Sequence, residues 1–213
     1  MKAFIYTGGR IYPENITEKP KKDDLVIAAD SGYRNAILMG AEVDIALGDF
    51  DSLGDTSSIP KSVEKMTVPA EKDETDTQLA INVAISRGAD DIVIIGGLDG
   101  RIDHTLSNLA ILEAMDDMSV HCVITSGQNR VRYIRSTSSL IARSGYKYLS
   151  VIAADKSVKG VSVEGCKYPL KNAALSRKFQ YAVSNEIVGN CALVSVKKGG
   201  ILIIESRDYS GSL

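Results

Sequence analysis

Little in this sequence is extreme, and what is scarce already excludes several classes of protein. The 213 residues include only three cysteines and two histidines. Cys122, Cys166 and Cys191 are far apart, odd in number and without a CxxC pair, so we expect core packing and neither a disulfide framework nor a cysteine zinc site. His104 and His121 are too few for a histidine-rich metal centre.

An excess of one charge and long apolar runs are also missing. Lysine plus arginine number 25 against 27 acidic residues, which gives no electrostatic reason to expect a nucleic-acid partner. No apolar run approaches the roughly 18 to 20 residues that span a bilayer, and the segment before Gly8-Gly9 lacks a signal-peptide core. We therefore expect no membrane partner and a cytoplasmic location. A hydrophobic share of 44% is typical of a globular protein.

The spacing of short apolar runs predicts the fold class. In roughly the first 125 residues, strands are predicted over 3–6, 25–29, 45–47, 65–68, 92–95 and 120–125. Helical stretches separate them, so the sheet should be mostly parallel and flanked by helices. Later strands are predicted over 133–136, 140–142, 146–153, 160–163, 181–183, 192–197 and 200–205. We expect an α/β domain over 1–128 and an all-β sandwich domain over 129–213.

Helix ends are marked clearly in the first domain. Thr75 followed by Gln78 matches a capping box that starts a helix, and Arg87-Gly88 ends it. An earlier helix over 33–39 should end at Gly40. Another is predicted near 105–115.

Aspartates gather directly after the predicted strands, as the following groups show: Asp30; Asp49 and Asp51; Asp73 and Asp76; Asp99 and Asp103. In an open α/β sheet the carboxyl ends of the strands share one edge, where ligands bind. Crowded carboxylates repel one another, and a divalent cation removes that repulsion. Magnesium prefers such hard oxygen ligands together with substrate phosphates. The pattern therefore indicates a site that handles phosphate groups.

A simpler explanation is available for any single aspartate, because this residue favours turns and helix starts. That explanation is weaker for Gly48-Asp49-Phe50-Asp51-Ser52. A spacing of two places both carboxylates on one side of an extended chain, and neither lysine nor arginine lies within several residues to neutralise them.

The glycine-rich segment Gly96-Gly97-Leu98-Asp99-Gly100-Arg101-Ile102-Asp103-His104 leads into a helix. Glycines let the backbone approach a ligand, and a helix N-terminus favours anions. Arg101 has the planar fork that binds phosphate oxygens. For His104, donation to a phosphate and capping of the helix both remain open. No GxxxxGK[ST] loop occurs, which argues against an ordinary P-loop kinase.

These segments resemble thiamine diphosphokinase (thiamine pyrophosphokinase). The matching stretches are Ala29-Asp30-Ser31-Gly32, Gly48-Asp49-Phe50-Asp51-Ser52, Lys72-Asp73-Glu74-Thr75-Asp76, Gly100 to Asn108, Lys167-Tyr168-Pro169-Leu170 and Ser184-Asn185-Glu186. Their order matches as well, so the resemblance covers nearly the whole chain. It implies an ATP-using enzyme that converts thiamine to thiamine diphosphate with release of AMP. It also implies a homodimer with active sites between subunits.

The resemblance also implies roles for individual residues. Asp49, Asp51 and Asp76 would hold Mg²⁺. ATP would contact Asp30, Ser31, Gly32, Arg101, Asp103 and His104, the last three along the phosphates. Lys72, Tyr168, Ser184 and Asn185 would bind thiamine, with Tyr168 at a position where relatives often have tryptophan. Ser31 likewise stands where glycine is frequent.

The implied reaction requires the thiamine hydroxyl to attack the β-phosphorus of ATP with AMP leaving in line. Arg101 and His104 are the catalytic candidates beside the phosphates, and either Asp73 or Asp103 would accept the hydroxyl proton. Two other functions are compatible with the same motifs. One is a diphosphokinase for another hydroxymethyl heterocycle such as a pterin. The other is a nucleotide- or thiamine-binding module without turnover.

Overall fold

The computed structural model describes residues 1–48, 59–67 and 73–208, and the chain divides into two compact units, Met1–Gly127 and Gln128–Leu213. The described part of the first unit contains β1 (Lys2–Tyr6), β2 (Leu25–Ala29), α1 (Gly32–Leu38), β3 (Ile45–Gly48), β4 (Glu64–Thr67), α2 (Asp76–Ser86), β5 (Asp91–Ile95), α3 (Ile102–Asp117) and β6 (His121–Thr125). A single 3₁₀ turn, Pro13–Asn15, follows β1.

The six strands that the structure describes in the first unit are parallel and run in the order β4-β3-β2-β1-β5-β6. The first strand is therefore central: Phe4 pairs with Val26 on one side and with Val93 on the other. In such a doubly wound sheet the chain order reverses between β1 and β5, and a crevice opens there at the carboxyl ends of the strands.

The central strands form because apolar residues occupy both of their faces. Ala3 to Tyr6 are fully buried, as are Ile92, Ile94 and Ile95 of β5, which is typical of strands covered by helices on both sides. Burial raises the pKa of the Tyr6 phenol to about 12. By contrast, β4 is an edge strand and is largely exposed. The predicted parallel α/β sheet is confirmed.

The predicted helix ends are confirmed where the structure describes them. The Thr75 hydroxyl accepts a hydrogen bond from the Gln78 N–H at 3.2 Å and so caps α2. Gly40 follows α1 with a φ of +67°. At the other end of α1, a Cβ on Gly32 would collide with the carbonyl oxygen of Tyr6. Glycine there lets the helix start directly against the central strand.

The described part of the second unit contains strands only, namely β7 (Asn129–Arg135), β8 (Ser138–Ala142), β9 (Tyr148–Ala153), β10 (Ser157–Glu164), β11 (Leu170–Ser176), β12 (Cys191–Ser195) and β13 (Gly200–Ser206). They form two antiparallel groups, β7-β13-β9 and β11-β10-β12-β8. Side chains from both groups, such as Val151, Val161 and Ile203, meet in one core. The predicted sandwich is confirmed.

Two details of the β prediction are wrong. The run 181–183 is not a strand; it makes an isolated contact in which the Val151 N–H bonds to the Ala182 carbonyl. The strand β11 was missed because it is poor in β-branched residues. It also pairs irregularly with β10, with a register shift on each side of Val161 and a φ of +50° at Asn172.

Within the described residues, we find no helix that combines the length and the apolar character needed to cross a membrane.

Candidate active site

The loops after β1 and β5 meet at the point where the strand order reverses. The Gly97 N–H donates to the Gly8 carbonyl at 3.0 Å, which joins the two turns. Gly97 has a φ of +71°, and a Cβ on it would lie 2.6 Å from Nδ2 of Asn108. Glycine is therefore needed here, because a side chain would strain the backbone and collide with Asn108.

Two buried asparagines hold these turns in place. Nδ2 of Asn35, on α1, donates to the carbonyls of Thr7 and Gly9 at 2.7 and 3.0 Å. Nδ2 of Asn108, on α3, donates to the Gly97 carbonyl at 2.9 Å. Each helix thus fixes one turn of the crevice by a side-chain amide, and the backbone there is pre-organised for a ligand.

A cleft of about 500 Å³ opens above these turns. Its lining comes from five parts of the first unit: residues 7–9, 29–31, 74–77, 97 to 101 without Leu98, and the α3 residues His104 and Asn108. The cleft therefore lies at the carboxyl ends of the strands, where the sequence predicted the site.

Four carboxylates line this cleft, those of Asp30, Glu74, Asp76 and Asp99. Asp76 is the first residue of α2, and Glu74 accepts a hydrogen bond from Nδ2 of Asn82 at 3.1 Å. Carboxylate oxygens are the hard donors that magnesium prefers, so the donor chemistry fits this ion. Among the described residues, however, no three potential ligands of the His, Cys, Asp or Glu type come close enough to form a metal site by themselves.

Asp30 occupies an unusual backbone conformation at the end of β2. Its φ is +47°, and its N–H donates to the Leu47 carbonyl at 2.7 Å. Gly48 lies against it, since a Cβ there would be 3.2 Å from Cα of Asp30. Non-glycine residues in this conformation are held by their surroundings and cluster at functional sites. Asp30 thus lies in the cleft beside the end of β3.

Arg101 and Asp103 form an exposed bidentate ion pair at the start of α3. Nε and Nη2 of Arg101 donate to the two oxygens of Asp103 at 3.2 and 2.6 Å. Oδ1 also accepts the His104 N–H at 2.9 Å. The bond from Arg101 lowers the pKa of Asp103, and the same bond raises the pKa of Arg101. The guanidinium is thereby kept charged and oriented at the edge of the cleft.

Several of the predicted site residues line the cleft and others do not. Asp30, Ser31, Asp76, Arg101 and His104 line the cleft. His104 is the third residue of α3, and the N-cap residue of this helix is Arg101. Within the described ranges, three other predicted residues do not line the cleft: Gly32, Asp73 and Asp103. Asp49, Asp51 and Lys72 lie outside the described residues.

The predicted thiamine residues lie in the second unit, apart from Lys72. Tyr168 and Asn185 line a separate pocket of about 190 Å³, together with Val151, Leu170 and Tyr181 among others. Ser184 flanks this pocket with a φ of +56°, and its N–H donates to Oγ of Ser150 at 3.0 Å.

Some residues of the cleft were not assigned to it from the sequence. The Gly8-Gly9 pair has a recognisable signal, because it follows a strand directly, as Gly96-Gly97 does. Asn35 carries no such signal, and Asn108, although it ends the family-like stretch from Gly100, was given no role in the cleft. An asparagine within a helix does not reveal which backbone group its amide will reach.

Comparison with known proteins identifies the family. The family model described as "Thiamin pyrophosphokinase, catalytic domain" matches residues 17–124, and the one described as "Thiamin pyrophosphokinase, vitamin B1 binding domain" matches residues 137–201. The chain belongs to the thiamin pyrophosphokinase family. The resemblance inferred from its motifs is confirmed.

Relatives of this family match along almost the whole chain. The thiamine pyrophosphokinase of Bacillus subtilis (strain 168) is 29% identical over 212 residues, which cover 96% of this chain and 98% of the relative. A crystal structure of the Bacillus subtilis protein matches with a TM-score of 0.87 and 26% identity, covering 98% of this chain and 100% of that one. The Geobacillus thermodenitrificans thiamin pyrophosphokinase matches with a TM-score of 0.84 and 27% identity, covering 99% of each chain.

Membership of the thiamin pyrophosphokinase family decides between the functions that the motifs left open. The predicted enzyme, a thiamine diphosphokinase, is confirmed at the level of the family. The comparisons do not support the pterin alternative.

Proposed function

We propose that the chain binds ATP in the cleft of its first unit and transfers the β,γ-diphosphate to the hydroxyl of thiamine, with AMP as the second product. The observation that carries this proposal is the shared location of Asp30, Asp76, Arg101 and His104. These residues come from three distant parts of the sequence and line one cleft at the switch point of the sheet. Acidic groups for a metal and basic groups for phosphates are what a nucleotide diphosphate donor requires.

The proposed magnesium ligands are Asp49, Asp51 and Asp76, with Asp30 nearby. Asp76 and Asp30 line the cleft, and Asp49 directly follows Gly48, the last residue of β3, which lies against Asp30. When bound, magnesium supplies charge neutralisation on the phosphate oxygens and so favours departure of AMP. The carboxylates would hold the ion in the cleft.

Arg101 and His104 would stabilise the phosphates from the α3 side of the cleft. The Arg101 guanidinium is held in place by Asp103. Its positive charge would offset the negative charge that develops on AMP. Two carboxylates were candidates for accepting the hydroxyl proton. Asp103 holds the Arg101 guanidinium with both of its oxygens, so we assign the orientation of Arg101 to Asp103. Asp73 and Asp103 both stay candidates for the proton acceptor.

Thiamine would bind beside Tyr168, with Ser184, Asn185 and Lys72 close to it. The pocket next to Tyr168 has mostly apolar walls and one buried amide, a composition suited to an aromatic ring. We further propose a homodimer in which the active sites form between subunits, as the family resemblance implies. The cytoplasmic location stays a prediction.

The metal assignment is tested by changing each proposed ligand to its amide. We expect Asp49→Asn, Asp51→Asn and Asp76→Asn each to lower turnover by about 100-fold or more, since each removes a charge that acts on the phosphates. Turnover is measured as AMP release across a magnesium titration. Asp117→Asn, at the last residue of α3, is the matched control and should behave as the parent enzyme. Near-normal turnover of Asp49→Asn and Asp51→Asn at saturating magnesium would show that the assignment is wrong.

A further inference from the structure

The aromatic side chain of Tyr168 is exposed but its backbone is not free to move. Tyr168 is 61% exposed and lies between the strands β10 and β11, just before Pro169. Its ring borders the pocket of about 190 Å³ in the second unit. A ring that serves as a platform for another ring needs a fixed position, because stacking depends on orientation and distance.

The side-chain amide of Asn185 supplies that fixation. Oδ1 accepts the Tyr168 N–H at 2.9 Å, and Nδ2 donates to the Tyr168 carbonyl at 2.7 Å. Oδ1 also accepts the Glu186 N–H at 2.9 Å. The amide therefore brackets the backbone of Tyr168 at both of its polar groups and ties it to the following segment.

The pattern of donors and acceptors fixes which way this amide points. If the amide were turned over, Nδ2 would face two N–H donors and Oδ1 would face a carbonyl oxygen. In the orientation observed, both lone pairs of Oδ1 are used. Because Oδ1 already accepts two hydrogen bonds and Asn185 is only 9% exposed, this oxygen has no capacity left to accept a hydrogen bond from a ligand.

Asn185 is itself anchored to the core of the second unit. Its N–H and carbonyl exchange hydrogen bonds with Leu149 at 3.0 and 2.7 Å. Leu149 belongs to β9 and is fully buried. The preceding residue, Ser184, is held in a left-handed conformation and donates to Ser150 on the same strand. A continuous path of hydrogen bonds thus leads from β9 through Asn185 to Tyr168.

We infer that Asn185 is a positioning residue, which acts on thiamine by fixing Tyr168 and not by accepting a hydrogen bond from the substrate with its own Oδ1. This inference rests on the proposed role of Tyr168 in binding thiamine. It differs from the sequence-based prediction, in which Asn185 binds thiamine directly.

The kinetic test compares three alanine variants. Tyr168→Ala removes the ring, and Asn185→Ala leaves the ring but removes its three hydrogen bonds. Gln180→Ala is the matched control, because the Gln180 amide brackets the backbone of Ala153 in the same way, at 3.1 and 3.3 Å. We expect Asn185→Ala to raise the KM for thiamine by about tenfold, with little change in the KM for ATP. Gln180→Ala should leave both values near those of the parent enzyme.

A second readout follows the ring itself. The chain contains no tryptophan, so Tyr168→Trp introduces a single fluorescent reporter at this position. Adding Asn185→Ala to that variant should lower the fluorescence anisotropy of the indole. It should also raise the thiamine concentration that gives half-maximal quenching by about tenfold. Adding Gln180→Ala should change neither. A purely structural role for Asn185 would lower the melting temperature without a selective change at the indole.

If Asn185→Ala does not fold, Asn185→Asp replaces it in the kinetic test. It keeps the acceptor for both N–H groups and loses the donor to the Tyr168 carbonyl, so a smaller but selective rise in the KM for thiamine is expected. If Tyr168→Ala leaves the KM for thiamine unchanged, the proposed thiamine site is wrong. If Tyr168→Ala raises it but neither Asn185 variant does, and the indole anisotropy is unchanged, the inference about Asn185 is wrong.

Discussion

Arg101 lies at the border of the cleft with its guanidinium bonded through two nitrogens to the carboxylate of Asp103. An ion pair this exposed contributes little to folding. Its geometry suggests another use, since a bonded guanidinium loses less freedom when phosphate oxygens reach it. In the proposed site the two residues would act as one unit, in which Arg101 faces the phosphates and Asp103 orients it.

That division predicts different kinetic effects for the two side chains. Arg101→Met should lower kcat by about 100-fold, because it removes positive charge from the departing AMP. Asp103→Asn should lower kcat by less than about tenfold, because the guanidinium remains and only its orientation is relaxed. Steady-state assays of AMP release, with melting temperatures as the folding control, measure both. Equal losses for the two variants would indicate that Asp103 takes part in the proton transfer directly.

A second residue-scale prediction concerns pH and lies at the opposite edge of the sheet. Asp91 is 37% exposed. Burial raises its pKa, but hydrogen bonds from His121 and Lys2 outweigh this and leave the pKa lowered. A carboxyl with a lowered folded pKa stabilises the fold above its unfolded pKa of about 4, and this stabilisation is lost as the pH falls through the folded value.

Asp91→Asn should therefore reduce the free energy of unfolding at pH 7 by about 0.5 to 1 kcal/mol, a value discounted for solvent screening. The difference from the parent protein should shrink as the pH falls below about 4. Urea unfolding at several pH values measures it, with Asp23→Asn, at an exposed position, as the control. A difference that stays constant down to the lowest pH would exclude the ionised carboxylate as its source.

At this scale the sequence predicted where the charged groups lie better than it predicted the groups that orient them. Asp30, Asp76 and Arg101 line one cleft, as expected because each follows a predicted strand and a parallel sheet brings those positions to one edge. Asn35, Asn108 and the bracketing role of Asn185 could not be found in this way. Each depends on which distant backbone group lies within reach of a short amide, and only the packed structure decides that.

Among the elements, α2 begins with an N-terminal cap that lies within a segment lining the cleft. Thr75 caps the helix, and Glu74, Asp76 and Thr77 beside it line the cleft. Loss of the cap would leave an N–H group at the helix start without its side-chain partner. It would also loosen the segment that presents Asp76, so helix stability and the geometry of the proposed metal site are linked.

Thr75→Ala should accordingly reduce the free energy of unfolding by about 1 kcal/mol, whereas Thr75→Ser should retain most of it because serine caps equally well. Chemical denaturation of the three proteins gives the comparison. If serine and alanine are equally destabilising, the threonine methyl group and not the hydroxyl supports the helix.

The elements themselves were predicted well where the pattern had one physical cause. The strands of the first unit are buried on both faces and appear as short apolar runs, and α2 has both end signals. The segment 181–183 was misassigned because aromatic and β-branched residues favour extended backbone in general. There they border a pocket, and the left-handed conformation of Ser184 ends the extended run.

For the whole molecule, the central prediction is that subunits share active sites. If each site takes Asp76 from one subunit and Tyr168 from the other, a dimer of one Asp76→Asn and one Tyr168→Ala subunit has one site with both residues intact. Random pairing should then restore about a quarter of the parent activity. Co-expression with two affinity tags isolates the mixed dimer, whose mass should be about twice the 22.9 kDa of the chain.

The matched control for this experiment pairs Asp76→Asn with Asp49→Asn. Both changes lie in the first unit, so no mixed dimer contains an intact set and activity should not return. Recovery in both mixtures, or in neither although mixed dimers form, would contradict shared sites between subunits.

The most direct test of the account is the identity of the products. Purified protein is incubated with ATP, magnesium and thiamine, and the mixture is followed by mass spectrometry and phosphorus NMR. We expect AMP and thiamine diphosphate in equal amounts, and formation of both products slowed by about 100-fold or more with Asp76→Asn. Formation of ADP with thiamine monophosphate, or binding of both substrates without any AMP, would contradict it.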